Sequence, residues 1–334
     1  MAFSYAPRVR RFSSAADVVN FIVASADSPL IALAVRHLTI TLHHPIAPQA
    51  LQQCLSITPN VEDLILFLPP NPPGDILDDV HLPRLQLFKT NLPHQSLLHF
   101  LPTHDSLTDL CLGACGRGAE EDSCLLCVLD LMGIVVAECP VSCIRAVAHP
   151  TLFRLTGEID RQSLPNGPAI LRSIHAPLAS LHALTLDFYP GDYDILQFLV
   201  RVVPQLQKLK LLERPGTYHR ENHTRRAWND AARWFASLLQ LQWLEELAIR
   251  TASSITWSSK GVDREGKTLM RWVARSPRAA KRNARAIEHP ALTSLRLWYR
   301  TREPAGGILT YWSKSSGVWK NILRATPPPQ DTFF

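Results

Sequence analysis

Six of the seven cysteines fall between positions 111 and 143, as Cys111-x3-Cys115, Cys124-x2-Cys127 and Cys139-x3-Cys143. Thiolates in such close pairs can hold zinc when each pair sits on a tight turn. Here Cys124 and Cys127 stand in an apolar run that reads as a buried helix, with both thiols facing a core, and free cysteine is among the most buried residue types. Core packing is therefore the expected role of the cluster, with zinc and a redox pair as alternatives, and no residue is assigned as a metal ligand. Gly113, Gly116 and Gly118 follow a predicted strand, where a phosphate-cradling loop would sit. Their order is G-x-x-G-x-G, without the Gly-Lys-Ser/Thr ending of a P-loop, so a glycine-rich connection between elements is expected. The thirteen histidines are scattered, and the adjacent pair His43-His44 precedes Pro45 in what reads as a solvated loop. No local pattern marks a nucleophile, a general base or a cofactor cradle, so neither an enzyme nor a cofactor is expected.

A second chemistry is electrostatic. Lys260, Arg264, Lys267, Arg271, Arg275, Arg278, Lys281, Arg282 and Arg285 lie among only two acids, Asp263 and Glu265, giving this stretch a net charge of 9 − 2 = +7. Many are three or four residues apart, which places them along one side of a helix. Such a patch can address nucleic acid, a nuclear-import receptor or an acidic protein, or can simply be solvated. Only Trp272 is interleaved, and stacking on bases would want more aromatics, so a solvated insertion is the first expectation. The whole chain carries +6. The balance is uneven: residues 1–200 hold 11 Lys/Arg against 19 Asp/Glu, and residues 201–334 hold 24 against 10. All eight tryptophans also lie in the basic part.

The elements that must carry these residues come from a repeat. The spacing apolar-x-x-apolar-x-apolar recurs as Val35/Leu38/Ile40, Val61/Leu64/Leu66, Leu107/Leu110/Leu112, Leu181/Leu184/Leu186, Leu206/Leu209/Leu211, Leu244/Leu247/Ile249 and Leu292/Leu295/Leu297. Leu85/Phe88/Thr90 keeps the spacing with a threonine, and a degenerate copy is expected near Ile144. The early copies, at 35, 61, 85 and 107, are 26, 24 and 22 residues apart, inside the leucine-rich-repeat range of about 20 to 29. Each period-two ending reads as a short strand buried on one face. Prolines at 59, 83 and 290 mark the entries. Helices are expected over 14–26, 46–56, 121–138, 192–202 and 224–240, the last capped by Thr224. A unit this small cannot bury its own apolar face, so neighbours must stack. The expected fold class is α/β: an irregular leucine-rich-repeat solenoid with a curved parallel sheet on its concave face and helices on the convex one. Residues 1–30 would form an N-terminal cap, 31–300 the solenoid with a basic insertion at about 258–287, and 301–334 a C-terminal cap and tail.

The odd cysteine count and the lack of a charged-then-apolar leader suggest a reduced, cytoplasmic or nuclear setting. The apolar run Cys124–Ala137 is interrupted by Asp130 and is shorter than the roughly 20 residues of a membrane span, so no membrane is expected.

The opening Tyr5-Ala6-Pro7-Arg8-Val9-Arg10-Arg11-Phe12, with irregular repeats such as Leu107-Thr108-Asp109-Leu110-Cys111-Leu112-Gly113, resembles fungal F-box-like proteins with leucine-rich-repeat regions. The resemblance implies a substrate-recognition subunit of a cullin-type ubiquitin ligase, whose repeats hold the target while an F-box docks on a Skp-type adaptor. An F-box segment is not found ahead of the first repeat, so the adaptor is expected only if such a segment lies upstream. Without it the chain would be a scaffold whose basic C-terminal surface binds nucleic acid or an acidic partner.

Partner contacts are expected at the x positions of the strands, which point away from the core. These are Thr39, Phe67, Lys89, Cys111, Thr185, Asp187, Lys210, Arg250, Arg296, Trp298 and Arg300. Trp298 between the two arginines is the preferred anchor, since Trp and Arg are frequent interface hot spots; its alternative role, with Trp312 and Trp319, is to cap the last repeat. The target is expected to be a protein and the chain a monomer.

Overall fold

The computed structural model describes residues 8–113, 115, 124–159, 174, 178–189, 191–214, 230–251, 262–275, 287–300 and 307–325. The chain divides into two compact units, residues 1–152 with 160–164, and residues 153–159 with 165–334. Each is α/β, built on strands that pair in chain order.

The first unit holds six parallel strands: β1 (Val9–Phe12), β2 (His37–Thr41), β3 (Asp63–Phe67), β4 (Leu87–Thr90), β5 (Asp109–Leu112) and β6 (Val136–Pro140). Burial alternates along β2 to β5, so Leu38, Ile40, Leu64, Leu66, Phe88 and Leu110 form the floor of the core. Full burial of such a side chain stabilises by about 1.5–3 kcal/mol. Three helices cover the early strands: α1 (Ala15–Asp27), α2 (Pro29–Leu33) and α3 (Pro48–Ser56). Helix α1 starts where its residues require, because the Ser14 hydroxyl accepts from the Asp17 amide (3.1 Å) while the Asp17 carboxylate accepts from the Ser14 amide (3.0 Å). Proline occupies the first position of α2 and α3, where its missing N–H costs nothing. After β4 the described parts of the connections carry 3-10 turns at His94–Leu97, Leu101–Thr103, Leu125–Val128 and Val141–Cys143, the last followed by the short helix α4 (Ile144–Val147).

The second unit holds β7 (Arg154–Glu158), β8 (Ala183–Phe188), β9 (Lys208–Glu213), β10 (Glu246–Thr251) and β13 (Ser294–Arg300) in parallel. Antiparallel β14 (Gly307–Ser315) and β15 (Val318–Ala325) follow, joined by a tight turn in which Ser316 and Gly317 both take positive φ, 50° and 80°. Helices α5 (Ile195–Val202), α6 (Ala231–Gln240) and α7 (Val262–Val273) pack on the apolar face, and β11 (Ala274–Arg275) pairs with β12 (Ile287–Glu288). The Asp230 carboxylate caps α6 through the Arg233 amide; Thr224, the expected cap, lies outside the described residues.

A repeated hydrogen-bond signature exposes the underlying period in both units. The amide of Val35, Val61, Leu85, Leu107, Ile134, Leu152, Leu181, Leu206 and Leu244 each donates to the carbonyl three residues earlier. One carbonyl per repeat then accepts from two successive amides of the next: Glu62 from Gln86 and Leu87, Gln86 from Thr108 and Asp109, Gln207 from Glu245 and Glu246. This pattern reveals two copies hidden to a leucine scan, Ile134/Ala137/Cys139 and Leu152/Leu155/Gly157, and their register against neighbouring strands agrees. The long gap between 107 and 181 is thereby filled. The copy expected near Ile144 is instead the start of α4.

The expected helix over 121–138 does not form across its described part. Cys124 leads into a single 3-10 turn, and Val136–Pro140 is a strand. The β-branched run Ile134-Val135-Val136 favours extended backbone, and Gly133 passes close to β5, where an added Cβ would lie 3.3 Å from the Leu107 carbonyl. Among the described residues no helix is long and apolar enough to cross a membrane.

Candidate functional site

Two arrangements have chemical content. The first is the sheet face opposite the helices. Register aligns Arg11, Thr39, Ile65, Lys89, Cys111 and Glu138 in one row of the first unit. Thr156, Thr185, Lys210, Ala248, Arg296 and Tyr311 form the corresponding row of the second. The expected contact residues Thr39, Lys89, Cys111, Thr185, Lys210 and Arg296 thus fall in register, none of them buried. Phe67 stands one pleat further along β3, and Ile65 takes the place assigned to it. Glu138 and Tyr311 lie on strands outside the leucine pattern, whereas Ile65 sits between Leu64 and Leu66 of a copy that the pattern does give, at the position expected for Phe67.

Asp187 is a correction. It lies at an x position but is fully buried, accepting from the Ile159 amide (2.9 Å) and the Arg214 guanidinium (2.6 Å). It therefore presents no surface: the side chain folds back to tie strand ends together. Level with Asp187, two residues along from that row, the Arg250 guanidinium lies 4.6 Å over the half-buried ring of Trp298; within the row, Arg296 lies 5.5 Å over Tyr311. Lys208 and Arg296 flank Glu246 at 3.2 and 4.0 Å. Arg300 ends β13.

The described part of the basic insertion, residues 262–275, is not merely solvated: it packs against the rest of the unit. Leu269, Trp272 and Val273 of α7 are buried, with Trp272 5.6 Å from Trp234 of α6. Trp272 is thus core, while Lys267 and Arg271 are exposed. Arg264 lies on α7 and Arg275 on β11; Lys260, Arg278, Lys281, Arg282 and Arg285 lie outside the described residues. Glu265, counted by charge alone in the sequence, is buried and accepts from the Tyr299 hydroxyl (2.9 Å) and the Trp312 indole (2.8 Å). Trp312 thereby fastens the terminal hairpin to α7. His43 and His44 are exposed.

The second arrangement lies inside the first unit. His94 Nδ1 and the sulfurs of Cys115, Cys124 and Cys143 all lie within 4.8 Å of one another. His94 Nδ1 is 3.1 Å from Cys124 Sγ and 3.7 Å from Cys143 Sγ. His94, Cys124 and Cys143 are buried and Cys115 is partly so. Hydrogen bonds from the Cys124 and Cys143 thiols hold Cys115 well below the ordinary thiol range, and its bonds with Cys115 and Cys124 push Cys143 well above it. The other cysteines have other surroundings: Cys54 is pushed up to about 12 and Cys139 higher still by burial. Cys111, on the outer face, rises to about 11 through partial burial and the neighbouring Glu138. The sequence thus located the cluster but not its members. Each close pair contributes one sulfur to the cluster, and His94 lies 21 residues before the nearest of the three cysteines.

Compared with protein-family models and with curated proteins, the chain matches none.

Proposed function

We propose that this chain is an irregular leucine-rich-repeat solenoid that binds a protein partner on the sheet face opposite its helices. The single observation carrying this reading is the in-register row Lys210, Arg296 and Tyr311 beside the Arg250–Trp298 stack. Repeated strands place one outward side chain per unit at a fixed spacing. Arginine and aromatic groups supported by neighbours are good interface anchors, because little side-chain freedom is lost when a partner covers them. By its resemblance to F-box-like repeat proteins, the partner would be a ubiquitination target, with a Skp-type adaptor joining only through an F-box encoded upstream.

Affinity purification from the native host with mass spectrometry, comparing the natural chain with Trp298→Ala and Arg296→Glu variants that retain the native melting temperature, tests this. A partner captured by the natural chain and lost from both variants supports the reading. Identical partner sets for all three chains remove the outer face from it. Exposed Lys267 and Arg271 favour a second reading, a basic docking surface. Binding of generic RNA that weakens steeply with salt supports that one, and no binding at low salt excludes it.

A further inference from the structure

We propose that His94, Cys115, Cys124 and Cys143 form a structural zinc site that ties together the ends of three successive strands of the first unit. The proposal is independent of what the outer face binds.

The repeat itself assembles the four ligands. Parallel strands bring equivalent residues to the same edge, and the register aligns Thr90 of β4 with Leu112 of β5, and Cys111 of β5 with Glu138 of β6. Counted from that row, His94 is four residues beyond the end of β4, Cys115 three beyond β5, and Cys143 four beyond the aligned Cys139. Three consecutive connections therefore leave the sheet at one edge and each drops a ligand toward the same point. Cys124, just before the Leu125–Val128 turn, supplies the fourth.

Local backbone fixes these positions. His94 opens a 3-10 turn after Pro93, whose ring holds φ at −55°. Cys143 closes the turn that begins immediately after Pro140. Gly113 lets the chain leave β5 against the neighbouring connection, since a Cβ there would stand 2.9 Å from the Asn91 Cα. The Gly113 amide donates to the Thr90 carbonyl (2.8 Å), which holds the chain against the end of β4 two residues before Cys115.

The geometry suits zinc in size and in donor type. Zinc bonds of about 2.3 Å to sulfur and about 2.0 Å to nitrogen make a tetrahedron with edges of roughly 3.8 Å (S···S) and roughly 3.5 Å (N···S). The two N···S distances from His94, 3.1 and 3.7 Å, bracket that edge, and every pair lies within 4.8 Å. Shifts of a few tenths of an ångström to about 1 Å bring all four atoms to bonding distance. Three thiolates and one neutral imidazole are a recognised structural zinc set, with no position left open for substrate water. Coordination through Nδ1 places the imidazole proton on Nε2, which is buried and has no hydrogen-bond partner. Binding converts up to three thiols to thiolates and releases their protons to solvent, so uptake is favoured by rising pH. A cluster of lone-pair atoms buried and turned on one another is otherwise costly, because each loses water without gaining a full set of donors.

The test uses the full chain, purified under reducing conditions. Elemental analysis is expected to give one zinc per chain after exhaustive dialysis. Replacement by cobalt(II) is expected to give tetrahedral visible bands with a thiolate-to-cobalt charge-transfer band whose intensity corresponds to three sulfurs. Cys143→Ser and His94→Ala are expected to lose zinc affinity by more than the roughly 100-fold that removal of an outer-sphere partner causes, whereas Cys127→Ser and Cys111→Ser keep both stoichiometry and spectrum. Should the ligand variants fail to fold, the natural chain still decides the matter through metal content and the cobalt spectrum. A chain that neither retains zinc nor takes up cobalt, a spectrum of fewer than three thiolates, or a disulfide among Cys115, Cys124 and Cys143 found by peptide mapping of the purified protein would each overturn the proposal.

Discussion

In the second unit the buried Glu265 carboxyl accepts from Tyr299 and from Trp312, and all three side chains belong to elements already packed together. In the first unit His94 and three cysteines converge on one another, while the far nitrogen of the same imidazole has no partner. The first arrangement is chemically closed: two donors meet two acceptor oxygens. The second is open: three soft thiols and an imidazole converge on one point through weak sulfur hydrogen bonds, and one buried ring nitrogen is left without a partner. Burial alone therefore does not distinguish a structural polar cluster from a ligand-ready one; the type of donor atoms that converge and the polar atom left unpartnered do.

The largest effect expected from breaking this contrast is at the closed cluster. Glu265→Ala strands the Tyr299 hydroxyl and the Trp312 indole in a dry interior and should lower stability by about 3 kcal/mol or more. Glu265→Gln keeps an acceptor for one donor and should cost about half as much. Urea denaturation of both variants measures this; a loss below about 1 kcal/mol for the alanine variant would mean that the terminal hairpin is held on α7 by apolar packing instead.

A smaller effect sharpens the contrast among histidines. His104 accepts from the Leu82 amide at Nε2 (3.0 Å), so its Nδ1 carries the proton given to the Phe100 carbonyl (2.7 Å). His289 accepts from the Leu292 amide at Nδ1 (3.0 Å) and donates through Nε2 to the Leu238 carbonyl (2.9 Å). Both rings are fixed neutral, and burial depresses both pKa values below the ordinary 6.5, with His81 adding to the depression at His104 and Lys314 at His289 while Asp105 opposes it at His104. A depressed imidazole takes up its proton more readily in the unfolded chain. Stability from these two groups is therefore complete above 6.5 and declines as pH falls below it. The urea midpoint should drop on acidification, and the slope should flatten in a His104→Gln/His289→Gln double variant; an unchanged slope would assign the acid sensitivity to other groups.

How far the sequence disclosed this depended on what each strand buries. Strands carrying Leu, Ile or Val at both inward positions were legible, and their x residues fell in register. The strand at 136–140 was read as helix because its inward residues are Ala137 and Cys139, and β7 was missed because Gly157 occupies an inward position. Asp187 kept strand parity but not exposure, since parity fixes which way a side chain leaves the backbone and says nothing of an Arg214 that later covers it. The cysteine cluster was visible as density, yet its members come from three connections whose edges meet only after β4, β5 and β6 align. His94 has no local mark; its position relative to the end of β4, matched by Cys143 relative to β6, becomes meaningful only once the hidden repeat at Ile134 is found.

The smallest effect concerns the two outer faces. Arg250 covers Trp298 at 4.6 Å, a partly exposed cation–π pair worth about 0.5–1 kcal/mol, whereas no described residue of the first unit's row makes such a stack. Arg250→Ala should therefore lower stability by that amount. Lys89→Ala, in the first unit, should stay within about 0.5 kcal/mol of the natural chain. Because the difference is small, it separates folding from binding. An Arg250→Ala chain that melts almost normally but no longer captures its partner assigns the residue to recognition. If it captures normally, the stack only braces Trp298, and recognition must lie elsewhere along the row.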